Sequence, residues 1–195
     1  MTLFIAGLLL FFAVHSLRAI APQQREVLVA RMGPSGWKAV YSVLSLAGFV
    51  MLAYGYGAVR WTSPMLWLPP PPWVRMAVAL AMLPVLVVFV SAYLPGRIRA
   101  GLRHPMVLAT AAWAALHLLV NGRVADLLLF GGFLAWALLL VVTSYRRPAA
   151  AGARAPALAW DAVAVAVGTA AWWWLSFGGG HALLFTMPVM SMPHP

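Results

Sequence analysis

Residues 105–143 read PMVLATAAWAALHLLVNGRVADLLLFGGFLAWALLLVVT. Two apolar runs lie on either side of a short polar break, Asn121-Gly122-Arg123. A helix that crosses the hydrocarbon layer of a bilayer needs about 20 mainly apolar residues, and Asn-Gly is a typical turn signal. The stretch therefore predicts two antiparallel membrane helices joined by a tight turn.

The same pattern recurs along the whole chain, which is 64% hydrophobic and 8% charged, with a mean hydropathy of +0.92. A soluble domain has about a quarter of its residues charged, so its surface can face water. We therefore predict an all-α, polytopic integral membrane helix bundle, a single domain over 1–195 that ends in a short apolar tail rich in Met, Pro and His at 179–195. The six predicted membrane helices are Leu3–Ile20, Trp37–Val59, Val74–Leu94, Pro105–Val120, Val124–Thr143 and Leu158–Leu175.

Basic residues are distributed unequally between alternate loops, and such residues stay on the cytoplasmic side of a membrane. We therefore expect both termini on the outer side, which is the periplasm for a bacterial inner membrane. One set of loops contains Arg18, Arg25, Arg31, Lys38, Arg97, Arg99, Arg103, Arg146, Arg147 and Arg154, and the other contains Arg60, Arg75 and Arg123.

Two features of the composition exclude other classes of protein. The net charge of +10 is spread between apolar runs, whereas a nucleic-acid-binding protein collects its basic residues on one face. Cysteine is absent, which excludes disulfides, thiolate metal sites and a cysteine nucleophile. The lipid bilayer is the partner that the composition predicts.

Ionisable side chains inside a membrane are energetically costly and are therefore candidates for function. His15, His104 and His117 lie within or beside predicted helices, and Arg103 and Asn121 share one helical stripe with His117. His15 with His117, or His15 with His104, could bind a metal or haem iron through neutral imidazole. Alternatively, each histidine forms a hydrogen bond that stabilises helix packing.

Three further groups of residues have simpler interpretations. Asp126 and Asp161 begin the fifth and sixth predicted helices, where a carboxylate favours the helix N-terminus. The methionines after residue 186, with His181, offer soft ligands for Cu(I), although such residues also serve as apolar filler. A stripe at alternating steps of four and three on the second helix predicts close helix packing. Its members are Tyr41, Ser45, Gly48, Leu52 and Gly55.

Six segments together resemble the NnrU family of bacterial membrane proteins. The resemblance covers residues 1 to about 190 and implies a link to denitrification and nitric oxide metabolism. The segments are Val14-His15-Ser16-Leu17-Arg18, Trp37 to Ser42, Tyr93 to Ile98, Arg103-His104-Pro105-Met106, Trp113 to Gly122 and Leu129 to Ala137.

The NnrU family is related to the zeta-carotene isomerase of plants and cyanobacteria, a membrane enzyme that contains haem b. That relation implies that His15 and His117 occupy haem-ligand positions, because both chains have a His-Ser and an Arg-His-Pro thirteen residues before a second histidine. The isomerase has a cysteine three residues before that histidine, where this chain has Ala114. Ligand switching by cysteine is therefore excluded here.

Two other functions are open on the sequence alone. Arg103-His104-Pro105 is similar to the Arg-His-Pro-x-Tyr motif of isoprenylcysteine and phospholipid methyltransferases, but Val107 replaces the tyrosine and no glutamates follow. A transporter or channel subunit is the other alternative, because the polar stripe on the fourth helix could line a path.

Overall fold

The computed structural model describes residues 1–145 and 157–185, and in this part of the chain every extended segment of regular structure is helical. This confirms the predicted all-α fold. The helices are α1 (Thr2–Ile20), α2 (Pro22–Val59), α3 (Pro72–Ser91), α4 (Arg97–Leu102), α5 (Pro105–Val120), α6 (Val124–Asp126), a π-helical segment (Leu127–Gly131), α7 (Gly132–Tyr145), α8 (Leu158–Ser176) and α9 (Gly180–Phe185).

Five helical segments in the described residues are long and apolar enough to cross a membrane: Thr2–Ile20, Pro22–Val59, Pro72–Ser91, Val124–Thr143 and Leu158–Ser176. The sixth predicted segment, α5, is also helical but has 16 residues, about 24 Å at 1.5 Å per residue. It does not gain length at its start, because Arg103 has a φ of 60° and separates α4 from α5. The chain is a polytopic membrane bundle.

Besides α9, which lies in the predicted tail, two helical segments occur that the apolar pattern did not predict. The break expected at Gly33-Pro34 is a kink, with Gly33 at φ 72° and ψ 164°, and residues before it form a helical extension of α2. Glycine suits this position because other residues rarely adopt a positive φ. The second is α4, a six-residue helix between two membrane segments.

Helices α1 and α2 pack closely in antiparallel directions through small residues. A Cβ atom at Gly55 would lie 2.5 Å from the Cα of Phe4, and one at Gly48 would lie 2.9 Å from the backbone nitrogen of Phe11. Gly7 meets the backbone of Leu52 in the same way. The predicted packing stripe on the second helix is confirmed at Gly48, Leu52 and Gly55, which are buried.

The spanning helices contact one another in the order α2, α1, α7, α5, α3, α8. Phe12 and Ser16 of α1 meet Phe133 and Trp136 of α7 in the same sequence direction, so these two helices run parallel. His104 beside Tyr145 defines one end of the bundle, which we call the α4 end. The opposite end, called the loop end, contains 60–71, 121–126 and the last turn of α8.

Candidate functional site

His15 lies in α1, about one and a half turns before the α4 end of that helix. Its ring stacks on Phe11, with ring centroids 4.0 Å apart, and is 5.4 Å from the ring of Tyr41. Its Nδ1 lies 2.8 Å from the carbonyl oxygen of Phe11. On the α7 side the ring of Trp136 is 6.1 Å away, and the Trp136 indole N–H donates to Ser16 Oγ at 2.9 Å. The imidazole is therefore held among aromatic rings.

His117 lies in the last turn of α5, nearer to the loop end. Its Nδ1 is 2.9 Å from the carbonyl oxygen of Trp113, one turn earlier. Its ring centroid is 4.9 Å from that of Phe130 and 5.2 Å from that of Trp113. The His117 ring therefore contacts aromatic side chains from two elements, Trp113 of α5 and Phe130 of the π-helical segment.

The two histidines have the same hydrogen-bond arrangement. A carbonyl oxygen only accepts, so Nδ1 of each ring must carry a proton, and in a neutral imidazole the lone pair is then on Nε2. Neither Nε2 has a hydrogen-bond partner within residues 1–145 and 157–185. Metal-ligating histidines are oriented in this way, with one nitrogen bonded to a carbonyl and the other free for the metal.

An aromatic cluster of Phe11, Phe12, Trp113, Phe130, Phe133 and Trp136 connects the two histidines. Phe133 is 5.5 Å from Phe11 on the His15 side and 5.5 Å from Trp113 on the His117 side. The His15 ring lies beside Trp136 and the His117 ring beside Phe130. From Phe130 to Trp136 the helix rises by about 9 Å at 1.5 Å per residue, so the two histidines are offset by about this distance along the helix axis. The structure thus places both imidazoles at one cluster without bringing them into contact.

Arg103 and His104 lie apart from this cluster, at the α4 end. Arg103 precedes α5, so it does not continue the stripe that contains His117 and Asn121. The His104 ring is 5.2 Å from that of Tyr145, and the Arg103 guanidinium is 5.5 Å from the same ring. The Tyr145 hydroxyl donates to the carbonyl oxygen of Leu102 at 2.6 Å. These contacts join the start of α5 to the end of α7.

A partly buried polar network lies at the loop end beside His117, and the sequence indicated only part of it. Asp126 is 2% exposed. Its Oδ1 accepts from the Tyr56 hydroxyl at 2.6 Å and lies 3.7 Å from Arg60 Nε. Arg60 donates to Asn121 Oδ1 at 3.0 Å, and the Asn121 amide donates to the His117 carbonyl at 2.8 Å. The network therefore connects α2, α5 and α6.

The prediction that Asp126 caps its own helix is also confirmed. Its Oδ2 accepts from the backbone N–H of Arg123 at 3.0 Å, which forms one half of a capping box. Arg123 in turn donates to the Ser63 carbonyl at 2.8 Å, and the backbone N–H of Leu66 donates to Gly122 at 2.7 Å. The 60–71 loop is fastened to the 121–126 turn by these bonds.

Asp161 lies in the first turn of α8, as predicted, but its side chain has a role that the sequence did not indicate. No side-chain hydrogen bond caps α8. The carboxylate instead accepts from the backbone N–H groups of Arg97 and Ile98, both at 3.0 Å. It therefore caps the N-terminus of α4, which is a different helix 63 to 64 residues away.

The predicted copper ligands lie mostly outside the described residues, because the tail from 186 onward is not described. His181 is in α9 and lies within electrostatic range of the His117 imidazole. Within residues 1–145 and 157–185, no three His, Asp or Glu side chains gather to hold a metal ion. The described histidines thus form no conventional all-protein metal site.

Together, the fold and these contacts define a class: a polytopic α-helical membrane protein with two imidazoles at one partly buried aromatic cluster. The profile of the family described as NnrU protein matches residues 3–189. The chain therefore belongs to the NnrU family, as its motifs predict. No curated protein and no solved structure matches the chain significantly.

Proposed function

We propose that this chain is a haem-binding, redox-linked accessory protein of nitrogen-oxide metabolism in the bacterial inner membrane. One observation carries the haem proposal. Two histidines in membrane helices have Nδ1 bonded to a carbonyl and Nε2 without a partner in the described residues, and both face the same aromatic cluster. The link to nitrogen oxides rests on the family resemblance.

Haem b fits this donor set better than a bare metal ion does. A structural zinc ion usually takes four protein ligands, and a catalytic one takes three. Haem iron already has four porphyrin nitrogens and needs only one or two ligands from the protein. Two imidazoles without a third acidic or imidazole ligand in the described residues are therefore enough for haem and too few for zinc.

The residues around the two histidines would have different roles in binding haem. His117 and His15 would be the residues that bind the haem iron, each through its Nε2 atom, and the aromatic cluster would exclude water from the ring. The surroundings of His15 also include a polar atom without a partner. Ser45 Oγ lies on α2 between the contacts to His15 and Phe11, is buried, and has no hydrogen bond in the described chain.

Arg60 and Asn121 would complete the site at the loop end. Arg60 lies within electrostatic range of His117 and is fixed by Asp126 and Asn121. A cation in this position would pair with a haem propionate at the membrane boundary. When bound, haem iron supplies one-electron transfer or an attachment point for a small diatomic gas.

The proposal is tested by the absorption spectrum of protein purified in detergent from cells supplied with a haem precursor. We expect a Soret band, and we expect His117→Ala and His15→Ala each to shift or remove it. His104→Ala is the matched control, because His104 packs on Tyr145 away from the cluster. Its spectrum should equal that of the wild type.

The outcomes separate ligation from folding when helical circular dichroism and gel filtration accompany each spectrum. A Soret band that is unchanged in both His15→Ala and His117→Ala would exclude these ligands. A loss of the band in His104→Ala alone would transfer ligation to the Arg103-His104-Pro105 turn.

A further inference from the structure

An apolar cavity opens between α3, α5 and α4, apart from the two histidines. Its volume is about 220 Å³, and all the side chains that line it are apolar. They include Pro84, Val85 and Val88 of α3, Leu102 of α4, and Leu108 and Ala112 of α5. Pro84 is largely exposed, so the cavity opens outward at membrane depth, where lipid chains surround the bundle.

Positive charge is concentrated where this cavity meets α4. Leu102 lies three residues after Arg99 and directly before Arg103, and both arginines are exposed, although the Arg103 guanidinium also lies 5.5 Å from the Tyr145 ring. The helix has the sequence RIRAGL and contains no acidic residue. Among the described residues, the carboxylate that bonds to this helix is that of Asp161, which is buried and accepts from the backbone N–H groups of Arg97 and Ile98.

The position of α4 places these arginines at a membrane surface. It connects the spanning helix α3 to α5 and is held against the start of α8 by Asp161. A short helix in this position lies at the level of the lipid headgroups. Exposed arginines there attract anionic headgroups, and the apolar cavity beside them has the polarity of an acyl chain.

We propose that this cavity and α4 form a binding site for one anionic phospholipid. An acyl chain occupies the cavity between α3 and α5, and the headgroup phosphate pairs with Arg99 and Arg103. The site is independent of haem, because it is lined by α3, α4 and α5 and does not include His15 or His117.

Native mass spectrometry of the full-length protein tests the proposal. The protein is mixed with equal amounts of phosphatidylglycerol and phosphatidylcholine that have identical acyl chains. We expect one phosphatidylglycerol to remain bound per chain, and R99Q/R103Q to reduce its retention by about tenfold or more. R25Q/R31Q removes two arginines from α2 and is the matched charge control, which should retain the lipid.

The cavity is tested separately by filling it. A112L should displace phosphatidylglycerol, whereas A111L, at a position that does not line the cavity, should not. If A112L aggregates on gel filtration, V88F fills the same cavity from α3. Equal retention of the two lipids, equal retention by R99Q/R103Q and the wild type, or full retention by the cavity-filling variant would each overturn the proposal.

Discussion

Asp126 shows how much a single buried carboxylate does in this bundle. At the residue scale, its place near the start of a predicted helix was sufficient to predict capping. Its bonds to Tyr56 and Arg60 were not predictable, because they join residues 66 to 70 positions apart and depend on which helices become neighbours. An unpaired charge in a membrane is costly, so the Arg60 pairing explains how the carboxylate is accommodated.

We expect Asp126→Asn to destabilise the protein by about 3 kcal/mol, because it leaves the Arg60 guanidinium without its counter-charge in a partly buried position. Tyr56→Phe, which removes one hydrogen bond, should cost about 1 kcal/mol. The measurement is thermal unfolding in detergent, followed by tryptophan fluorescence.

Glu26→Gln provides the control for this series, because Glu26 is an exposed carboxylate on the first part of α2. Its unfolding midpoint should equal that of the wild type. A midpoint for Asp126→Asn that also matches the wild type would show that the network does not contribute to stability.

For the histidines, in contrast to Asp126, the sequence indicated the functional candidates themselves. Their residue type and position in apolar helices indicated candidates for ligation, and the structure adds the protonation pattern, since each Nδ1 meets a carbonyl one turn earlier. Arg103 could not be placed correctly from helical phase, because its positive φ interrupts the helix on which that phase was counted.

At the scale of elements, the six apolar segments were predictable as helices because each is a continuous apolar run, and five of them also have the length of a membrane span. The helices that escaped prediction are those without such a run. Residues before Gly33 are mixed in polarity, and α4 is six residues long and depends on Asp161 from α8. The formation of α4 therefore depends on a tertiary contact and not on local hydropathy.

The contact between α1 and α2 makes a prediction at this scale. Gly55→Ala should destabilise the bundle by about 1–3 kcal/mol, because the added methyl group meets the backbone of Phe4. Gly57→Ala is the matched control, since a Cβ at Gly57 has no atom within 4 Å. Alanine also favours a helix over glycine, by about 1 kcal/mol.

Thermal unfolding of the two variants, compared with the wild type, provides the measurement. Gly55→Ala should unfold at a lower temperature than the wild type, and Gly57→Ala should unfold at an equal or higher temperature. If both variants unfold alike, α1 and α2 do not approach as closely as described.

At the scale of the whole molecule, the distribution of Lys and Arg predicts the orientation in the membrane. The structure shows that the 60–71 loop and the 121–126 turn lie together at one end, while α4 belongs to the other. The order of helices, α2, α1, α7, α5, α3 and α8, was not predictable, because apolar faces against lipid and against protein have similar composition.

The absence of cysteine makes the orientation directly measurable. Single cysteines at Thr62, in the loop, and at Gly101, in α4, are both at exposed positions. In spheroplasts, whose inner membrane is intact, a membrane-impermeant maleimide should label Thr62→Cys. It should label Gly101→Cys only after the inner membrane is permeabilised. The reverse pattern would place α4 on the outer side.

The central claim is that this bundle holds haem at its aromatic cluster, and the most direct measurement is the haem content of the wild-type protein. Pyridine haemochromogen analysis of monodisperse protein from haem-supplied cells should give b-type haem at about one per chain, with a reduced-minus-oxidised difference spectrum. Folded protein without haem, both as purified and after incubation with added haemin, would contradict the account.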